Sequence, residues 1–319
     1  MKKPVITIIG SYVMAMTMRV ERFPTCGETL IGHSFQPIHG GKGTNQAVEC
    51  ARLGATVNHV ICVGEDSYGD GIIEVCEREG INVQHIKRSG TLSSGIAFVI
   101  VNDEGSNIIT LDLGANMDLL PEDVTAIEKL ISQSDIILIQ MEISTSTIAA
   151  AVNAAKRLGV KIILNPAPYQ YLPDEIWANV TIATPNEKEA KLMAGYNPET
   201  QVDMEILGRK ILDKGIENVI ITMGEKGAFF MYREDGGQNV KGKFKSGWVP
   251  VRKVNAVDTT GAGDTFSGAL SVAIAEGKPM ADAIRFAVAA ASLSVMHFGV
   301  IDIMPYRKEV EEELKIINH

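Results

Sequence analysis

Short runs of consecutive Ile and Val residues alternate with helix-period segments along most of this chain, and that alternation limits the folds open to it. Val5–Ile9 reads as a first strand, Thr44–Leu53 as a helix closed by Gly54, and Val57–Val63 as the next strand. A helix over Gly71–Glu79 stops at Gly80. Strand Asp135–Gln140, helix Ser146–Leu158 and strand Lys161–Leu164 follow, then strand Val180–Ala183, helix Asn186–Met193, helix Met204–Lys214 and strand Val219–Thr222. A strand buried on both faces has no polar side to alternate with, so it reads as a continuous apolar run. The pattern therefore predicts an α/β fold, a mostly parallel sheet covered by helices on both faces. The last third is expected to be helical: Thr265–Ala275, Met280–Met296 and Arg307–Ile317.

Two stretches break the alternation. Glu28–His39 and Gly95–Leu111 carry β-type patterning with no helix between strands, and Asn102-Asp103-Glu104-Gly105 reads as a turn. They predict a small antiparallel appendage, a lid or a dimer contact, because exposed strand edges must be covered. The 319 residues are expected to form a single domain spanning 1–319, with lid strands inserted at about 11–40 and 91–113. A net charge of −9 disfavours nucleic acid and acidic membranes as partners. Four cysteines without metal-ligand spacing fit a reducing cytoplasm. The basic start and its short apolar run read as a strand rather than a signal peptide, and no stretch approaches the roughly 18 apolar residues of a membrane span.

Residues 256–266, Ala-Val-Asp-Thr-Thr-Gly-Ala-Gly-Asp-Thr-Phe, carry the sharpest chemistry. Gly261, Ala262 and Gly263 precede Asp264 and an apolar helix. Their N–H groups can converge on one point, and the helix dipole adds to them, so the stretch reads as an anion nest with a carboxylate beside it. Phosphoryl transfer needs such a pair: negative charge is held while a hydroxyl is deprotonated. The alternative is a glycine turn with Asp264 as a helix cap. There is no Walker A sequence, since Gly41-Lys42-Gly43-Thr44 interposes glycine between Lys and Thr.

Ligands of an open parallel sheet bind beyond the carboxyl ends of its strands. Gln140-Met141-Glu142, Asn165-Pro166-Ala167-Pro168, Thr184-Pro185-Asn186-Glu187-Lys188-Glu189 and Thr222-Met223-Gly224-Glu225-Lys226-Gly227 all fall there. With these in view the chain resembles the ribokinase family, the PfkB-type carbohydrate kinases, from Ile6 to about Pro305. The matching stretches include Gly10-Ser11, Pro24-x-x-Gly27-Glu28-Thr29, Gly40-Gly41-Lys42-Gly43-Thr44-Asn45-Gln46-Ala47, Gly64-Glu65-Asp66-Ser67-Tyr68-Gly69 and Val257 to Asp264.

The resemblance implies a ribokinase-like, Rossmann-type three-layer sandwich with a small β-sheet lid that often forms a homodimer. It implies ATP-dependent phosphorylation of the primary hydroxyl of a small sugar, ribose or a related pentose or deoxysugar. Asp264 would take the hydroxyl proton, and Gly261, Ala262 and Gly263 would form the anion hole. Gly41, Lys42 and Asn45 would line the sugar pocket with Glu142. Asn186 and Glu189 would organise Mg²⁺ through water, and Asn186, Thr222, Gly224 and Gly227 would line the nucleotide site. Asp258 and the Thr260 carbonyl would belong to a loop that binds a monovalent cation, K⁺ in many relatives.

The chain departs from the family where ribokinases carry Asn and Asp that contact ribose hydroxyls: here stand Val13 and Ala15. Near the cation loop it reads Phe298-Gly299-Val300-Ile301-Asp302-Ile303. The first departure leaves alternatives: a nucleoside kinase of the same family, or, in a different class, a catalytically inactive sugar- or nucleotide-binding sensor.

Overall fold

The computed structural model describes residues 3–233 and 243–317. Its strands in chain order are β1 (Val5–Ile9), β2 (Val13–Val20), β3 (His33–Gly40), β4 (Thr56–Gly64), β5 (Ile86–Ser89), β6 (Gly95–Asn102) and β7 (Asn107–Asp112). Then come β8 (Ile136–Ile139), β9 (Lys161–Leu164), β10 (Ile182–Ala183), β11 (Asn218–Thr222), β12 (Ala228–Arg233) and β13 (Phe244–Val249). The main sheet has the order β13-β12-β11-β10-β9-β8-β1-β4-β5. It is parallel from β5 to β11, and β12 and β13 extend its edge antiparallel.

The apolar runs are buried on both faces, as the sequence predicts. Along β8, Ile136 and Leu138 enter one hydrophobic cluster while Ile137 and Ile139 enter the other, all at 0% exposure. Each such side chain contributes about 1.5–3 kcal/mol of burial. The Lys42–Arg52, Ala262–Ala275 and Met280–Ser294 helices pack on the first face, and Thr145–Arg157 and Met204–Leu212 on the second.

Strand β1 lies between β8 and β4. The chain leaves β1 toward one side of the sheet and later returns on the other, which opens a crevice at the carboxyl ends of β1 and β8. Ser11 and Glu142 follow those two ends. A second sheet, ordered β3-β2-β6-β7, forms the lid. It corrects the expectation of an antiparallel appendage. β2 runs parallel to β6 from Val13↔Gly95 to Val20↔Asn102, because the whole β4–β5 excursion into the main sheet separates them and no hairpin joins them. β2 falls within the lid strands expected at about 11–40, whereas β5 and the edge strands β12 and β13 have no counterpart among the strands expected from the sequence. The helix expected over 71–79 begins earlier, at Ser67, because the Asp66 carboxylate caps it by accepting the Gly69 N–H at 2.9 Å.

Candidate active site

The chain turns from lid to main domain through Gly41, whose φ of 90° is left-handed. A Cβ there would lie 2.7 Å from the Val13 nitrogen, so the start of the Lys42–Arg52 helix presses directly on the β1–β2 connection. Glu142 pins the same junction. It is buried, and one of its oxygens accepts from Ser11 Oγ at 2.6 Å and from the Lys42 N–H at 2.9 Å. The Lys42 ammonium stands 3.5 Å from its other oxygen. Burial works against the ammonium, but Glu142, Asp264 and Glu189 outweigh it and hold Lys42 above its ordinary pKa.

Asp264 does not cap its helix. Gly261 is the cap residue, with a left-handed φ of 78°, and Asp264 lies in the first turn of Ala262–Ala275. Its carboxylate is buried at 7% exposure and points back across the crevice. Asn45 Nδ2 donates to one oxygen at 2.8 Å and Gln46 Nε2 to the other at 2.9 Å. Burial raises its pKa, while Lys42 and the two amide donors oppose that rise. The result is a carboxylate held in one orientation with its basicity increased, which suits a general base. Gln46 is itself fixed: Gln140 Nε2 donates to its Oε1 at 2.5 Å, and its Nε2 also reaches Asn165 Oδ1 at 3.2 Å. Asn165 donates to the Thr184 carbonyl at 2.8 Å, so the chain of amides runs to the end of β10.

In the first turn beside Asp264, the Ala262 N–H donates to the Thr259 carbonyl at 3.3 Å. Gly263 is exposed, and a Cβ on it would meet nothing within 4 Å. The open space over Gly263, at the positive end of a long helix, is a cradle of the kind that takes phosphate oxygens.

Asn186 and Glu189 form a reciprocal capping box: the Asn186 side chain accepts the Glu189 N–H at 2.9 Å and Glu189 Oε2 accepts the Asn186 N–H at 2.8 Å. Burial raises the Glu189 pKa, and Lys42 lies close enough to oppose it. Asn186 bridges to Thr222, placing the ends of β10 and β11 side by side. Gly224 is exposed beyond β11, whereas Gly227 is buried, with the Val249 carbonyl 2.1 Å from where its Cβ would be. Asp258 is engaged within its own loop: Oδ1 accepts from the Thr260 N–H at 3.0 Å and from Thr260 Oγ1 at 2.7 Å. Its other oxygen is 3.5 Å from the Gly299 nitrogen.

A cavity of about 410 Å³ lies between the lid sheet and these groups. Gly41, Lys42, Asn45, Glu142 and Asp264 line its polar end, and Asp258, Thr260 and Gly261 its rim. Val13 and Ala15 are on the lid wall facing them. Asn186, Glu189, Thr222, Gly224 and Gly227 are not on the cavity wall; Glu189 is linked to it through the field of Lys42 and Asp264.

Residues 3–307 match the model of the pfkB family carbohydrate kinases. The chain belongs to that family. It is 40% identical to a ribokinase of Haemophilus influenzae over 97% of this chain and 98% of the relative. It is 34% identical to a deoxyribokinase of Salmonella typhi over 98% and 99%. A solved structure of Arabidopsis thaliana ribokinase complexed with ribose and ATP superposes with a TM-score of 0.86 at 32% identity, covering 99% of both chains. The protein is thus an ATP-dependent sugar kinase, with the α/β sandwich and lid of that family.

The sequence singled out no role for Ser11, Gln46, Arg19 or Phe298, which the structure brings to this kinase's site; Asn165 was expected only as one of the polar groups at the strand ends. For Gln46 a signal existed: a polar residue directly after Asn45 in a helix whose neighbours Ala47 and Val48 are apolar. For Arg19 it was the alternation Val13, Ala15, Thr17, Arg19, which puts all four on one strand face.

Proposed function

We propose that this kinase transfers the γ-phosphoryl group of ATP to the primary hydroxyl of a pentose unit, ribose or a related deoxysugar, with Asp264 as general base. In the step, the hydroxyl oxygen forms a bond to the γ-phosphorus and the β–γ bridging P–O bond breaks. ADP leaves, and the hydroxyl proton passes to Asp264. The observation that carries this reading is the buried Asp264 carboxylate, oriented by Asn45 and Gln46 and aimed into the same cavity as Lys42 and Glu142. Gly261, Ala262 and Gly263 are assigned the transferred phosphoryl group, supported by the helix terminus and the open space at Gly263. Lys42 offsets the negative charge gathered there. Gly41, Asn45 and Glu142 hold the sugar. Thr222, Gly224 and Asn186 at the ends of β10 and β11 are assigned to the nucleotide, with Gly227 shaping the turn.

Glu189 and Asn186 would hold Mg²⁺. Their donor set, one carboxylate and one amide, fits a hard cation that keeps most of its waters and binds chiefly to substrate phosphates. Among the described residues no cluster of three or more acidic, His or Cys side chains could hold a metal by itself. Bound there, Mg²⁺ would neutralise charge on the phosphates. The loop of Asp258 and the Thr260 carbonyl is the place for a K⁺-type cation.

Residues 1–319 are read as one kinase domain whose lid, at about 11–40 and 91–113, closes the sugar site and forms a homodimer. The lid's outer face supports the dimer: Phe98 is 60% exposed, Ile108 47% and Met18 39%. Such a contiguous apolar face is unusual on a monomer. Among the described residues no helix is long and apolar enough to cross a membrane. The four cysteines are free, and that supports a reducing cytoplasm.

The test is ADP release from Mg·ATP over a panel of ribose, 2-deoxyribose, other pentoses and hexoses. Turnover that requires a pentose unit is expected. Measurable sugar binding without turnover of any acceptor would instead favour a sensor.

A further inference from the structure

The face of the main sheet that packs on the Lys42–Arg52 and Ala262–Ala275 helices ends in a row of polar side chains. Ile9, Ile139, Leu164 and Ala183 are register partners across β1, β8, β9 and β10. The next residues along the chain are Gly10, Gln140, Asn165 and Thr184. Side chains two apart on a strand share a face. This row therefore continues the one made by Ile8, Leu138, Ile163 and Ile182, which all join the apolar cluster under those two helices. Gln140, Asn165 and Thr184 are buried. Gly10 leaves them room: a Cβ there would lie 1.9 Å from Gln140 Oε1.

Hydrogen bonds join this row to Asp264 in a closed circuit. Gln140 Nε2 donates to Gln46 Oε1 at 2.5 Å. The Gln46 N–H₂ group donates to Asp264 Oδ1 at 2.9 Å and to Asn165 Oδ1 at 3.2 Å, which uses both its hydrogens. Asn165 Nδ2 is engaged by the Thr184 carbonyl at 2.8 Å. Thr184 Oγ1 is 3.0 Å from Ser267 Oγ, and Ser267 follows Asp264 by less than one turn on the same helix. The base is thus held through its own helix and, by way of Gln46, through the ends of three strands.

The circuit has one favourable polarity. With the Gln46 amide turned over, its oxygen would face the oxygens of Asp264 and Asn165, and its nitrogen the nitrogen of Gln140. Asn165 cannot turn in response without abandoning the Thr184 carbonyl. Gln140 keeps its own sense at a cost, because its Oε1 is buried without a partner. An apolar side chain would close the strand end and leave no such oxygen. Packing gives no reason for an amide at this position; a donor aimed at Gln46 does.

Resting on the reading of Asp264 as the base, we infer that Gln140 and Asn165 are positioning residues for the phosphoryl transfer. They lock the Gln46 amide with its N–H₂ group toward Asp264, and so keep that carboxylate oriented and ready to accept the hydroxyl proton. Neither they nor Gln46 line the cavity, so the lock acts on the chemical step and leaves the sugar's contacts alone. The charged groups acting on Asp264 are Lys42 at the start of its helix, Glu142 after β8 and Glu189 in the Glu187–Met193 helix. All three remain when the lock is opened.

The experiment measures kcat and both KM values across pH with Mg·ATP and ribose or 2-deoxyribose, whichever turns over faster. The variants are Gln140→Met, Gln140→Glu, Gln46→Ala, the double variant Gln46→Ala with Gln140→Met, and Asp264→Asn. Methionine keeps the length of glutamine without its donor. In Gln140→Met, kcat is expected to fall about 10–100-fold with both KM values little changed. Its acid limb should move to higher pH, because a carboxylate whose donor is no longer fixed protonates more readily. Added to Gln46→Ala, the same change should do nothing further, since its target is gone. In Gln140→Glu, burial favours the protonated carboxyl, whose O–H can donate to Gln46 as the amide did. As pH rises that proton is lost, so the ratio of this variant's kcat to wild type should fall.

Wild-type kcat and acid limb in Gln140→Met overturn the inference, as does a loss that adds in full to that of Gln46→Ala. A Gln140→Glu ratio flat with pH also overturns it, and that nearly isosteric variant decides the matter if Gln140→Met does not fold. Wild-type turnover in Asp264→Asn removes the base, and the inference falls with it. An inactive Asp264→Asn beside an unaffected Gln140→Met removes the lock alone.

Discussion

Asp264→Asn separates chemistry from folding because the structure gives each a different size. The carboxylate accepts one hydrogen bond from Asn45 and one from Gln46, at 2.8 and 2.9 Å. An amide in its place cannot take the hydroxyl proton, and loss of a positioned base costs about 10²–10⁴ in rate. At 1.36 kcal/mol per decade this is roughly 3–5 kcal/mol of barrier. The new amide would also set an N–H₂ against one of its two donors, a conflict worth about 1–3 kcal/mol if left unrelieved. Here it can be relieved. Asn45 Oδ1 is buried without a partner, so rotating that amide by half a turn presents an acceptor to the new donor. The expectation is a kcat lower by about 10²–10⁴, with ATP KM little changed and Tm close to wild type. Steady-state ADP release and thermal unfolding on the same preparation measure both. A kcat within about tenfold of wild type would remove Asp264 from the proton transfer, and a large loss of Tm would show that the variant reports stability instead.

Gln46→Ala removes a donor to the Asp264 carboxylate, so the Asp264 pKa rises further. Since the base works deprotonated, the acid limb of kcat against pH should move to higher pH, and an unmoved limb would exclude this coupling. Glu49 is fully buried between the Lys42–Arg52 and Ala262–Ala275 helices, both its oxygens lack partners, and burial pushes its pKa well above the usual range. A raised carboxyl binds more protons folded than unfolded, so stability falls as pH climbs from the unfolded value of about 4.3 toward the folded one. Arg52 opposes this rise and Glu309 adds to it. Glu49→Gln should therefore raise Tm at neutral pH and flatten that decline, and an unchanged pH–Tm profile would refute it. Phe98→Lys on the outer lid face should shift mass measured by light scattering from dimer toward monomer, while a monomeric wild type would dispose of the lid dimer.

The sheet was legible because burial on both faces is written locally: each strand is a continuous run such as Ile136–Ile139, and each helix has its own period and stop. The lid was legible as strands but not in its pairing. β2 and β6 are separated by the β4–β5 excursion, and nothing in either strand says that the other runs parallel to it. Boundaries moved where a side chain decided them, as at Asp66, which starts its helix a turn before the apolar period begins. Asp264 stood out in sequence by its glycines, yet its alternative as a helix cap was excluded only when its oxygens were seen to turn toward Asn45 and Gln46.

By itself, the sequence determined the α/β class, the glycine-rich turns and the chemical types gathered at the strand ends. Those follow from periodicities and backbone requirements that act over a few residues. Tertiary structure decided which of those residues meet. Asn45 and Asp264 are 219 positions apart, and Ser11 and Glu142 131 apart. It also decided that the lid's alternate residues form one long wall from Val13 to Arg19, against Phe298. Contacts at such separation arise from packing the whole chain around one core, and the local pattern on either side carries no record of the other.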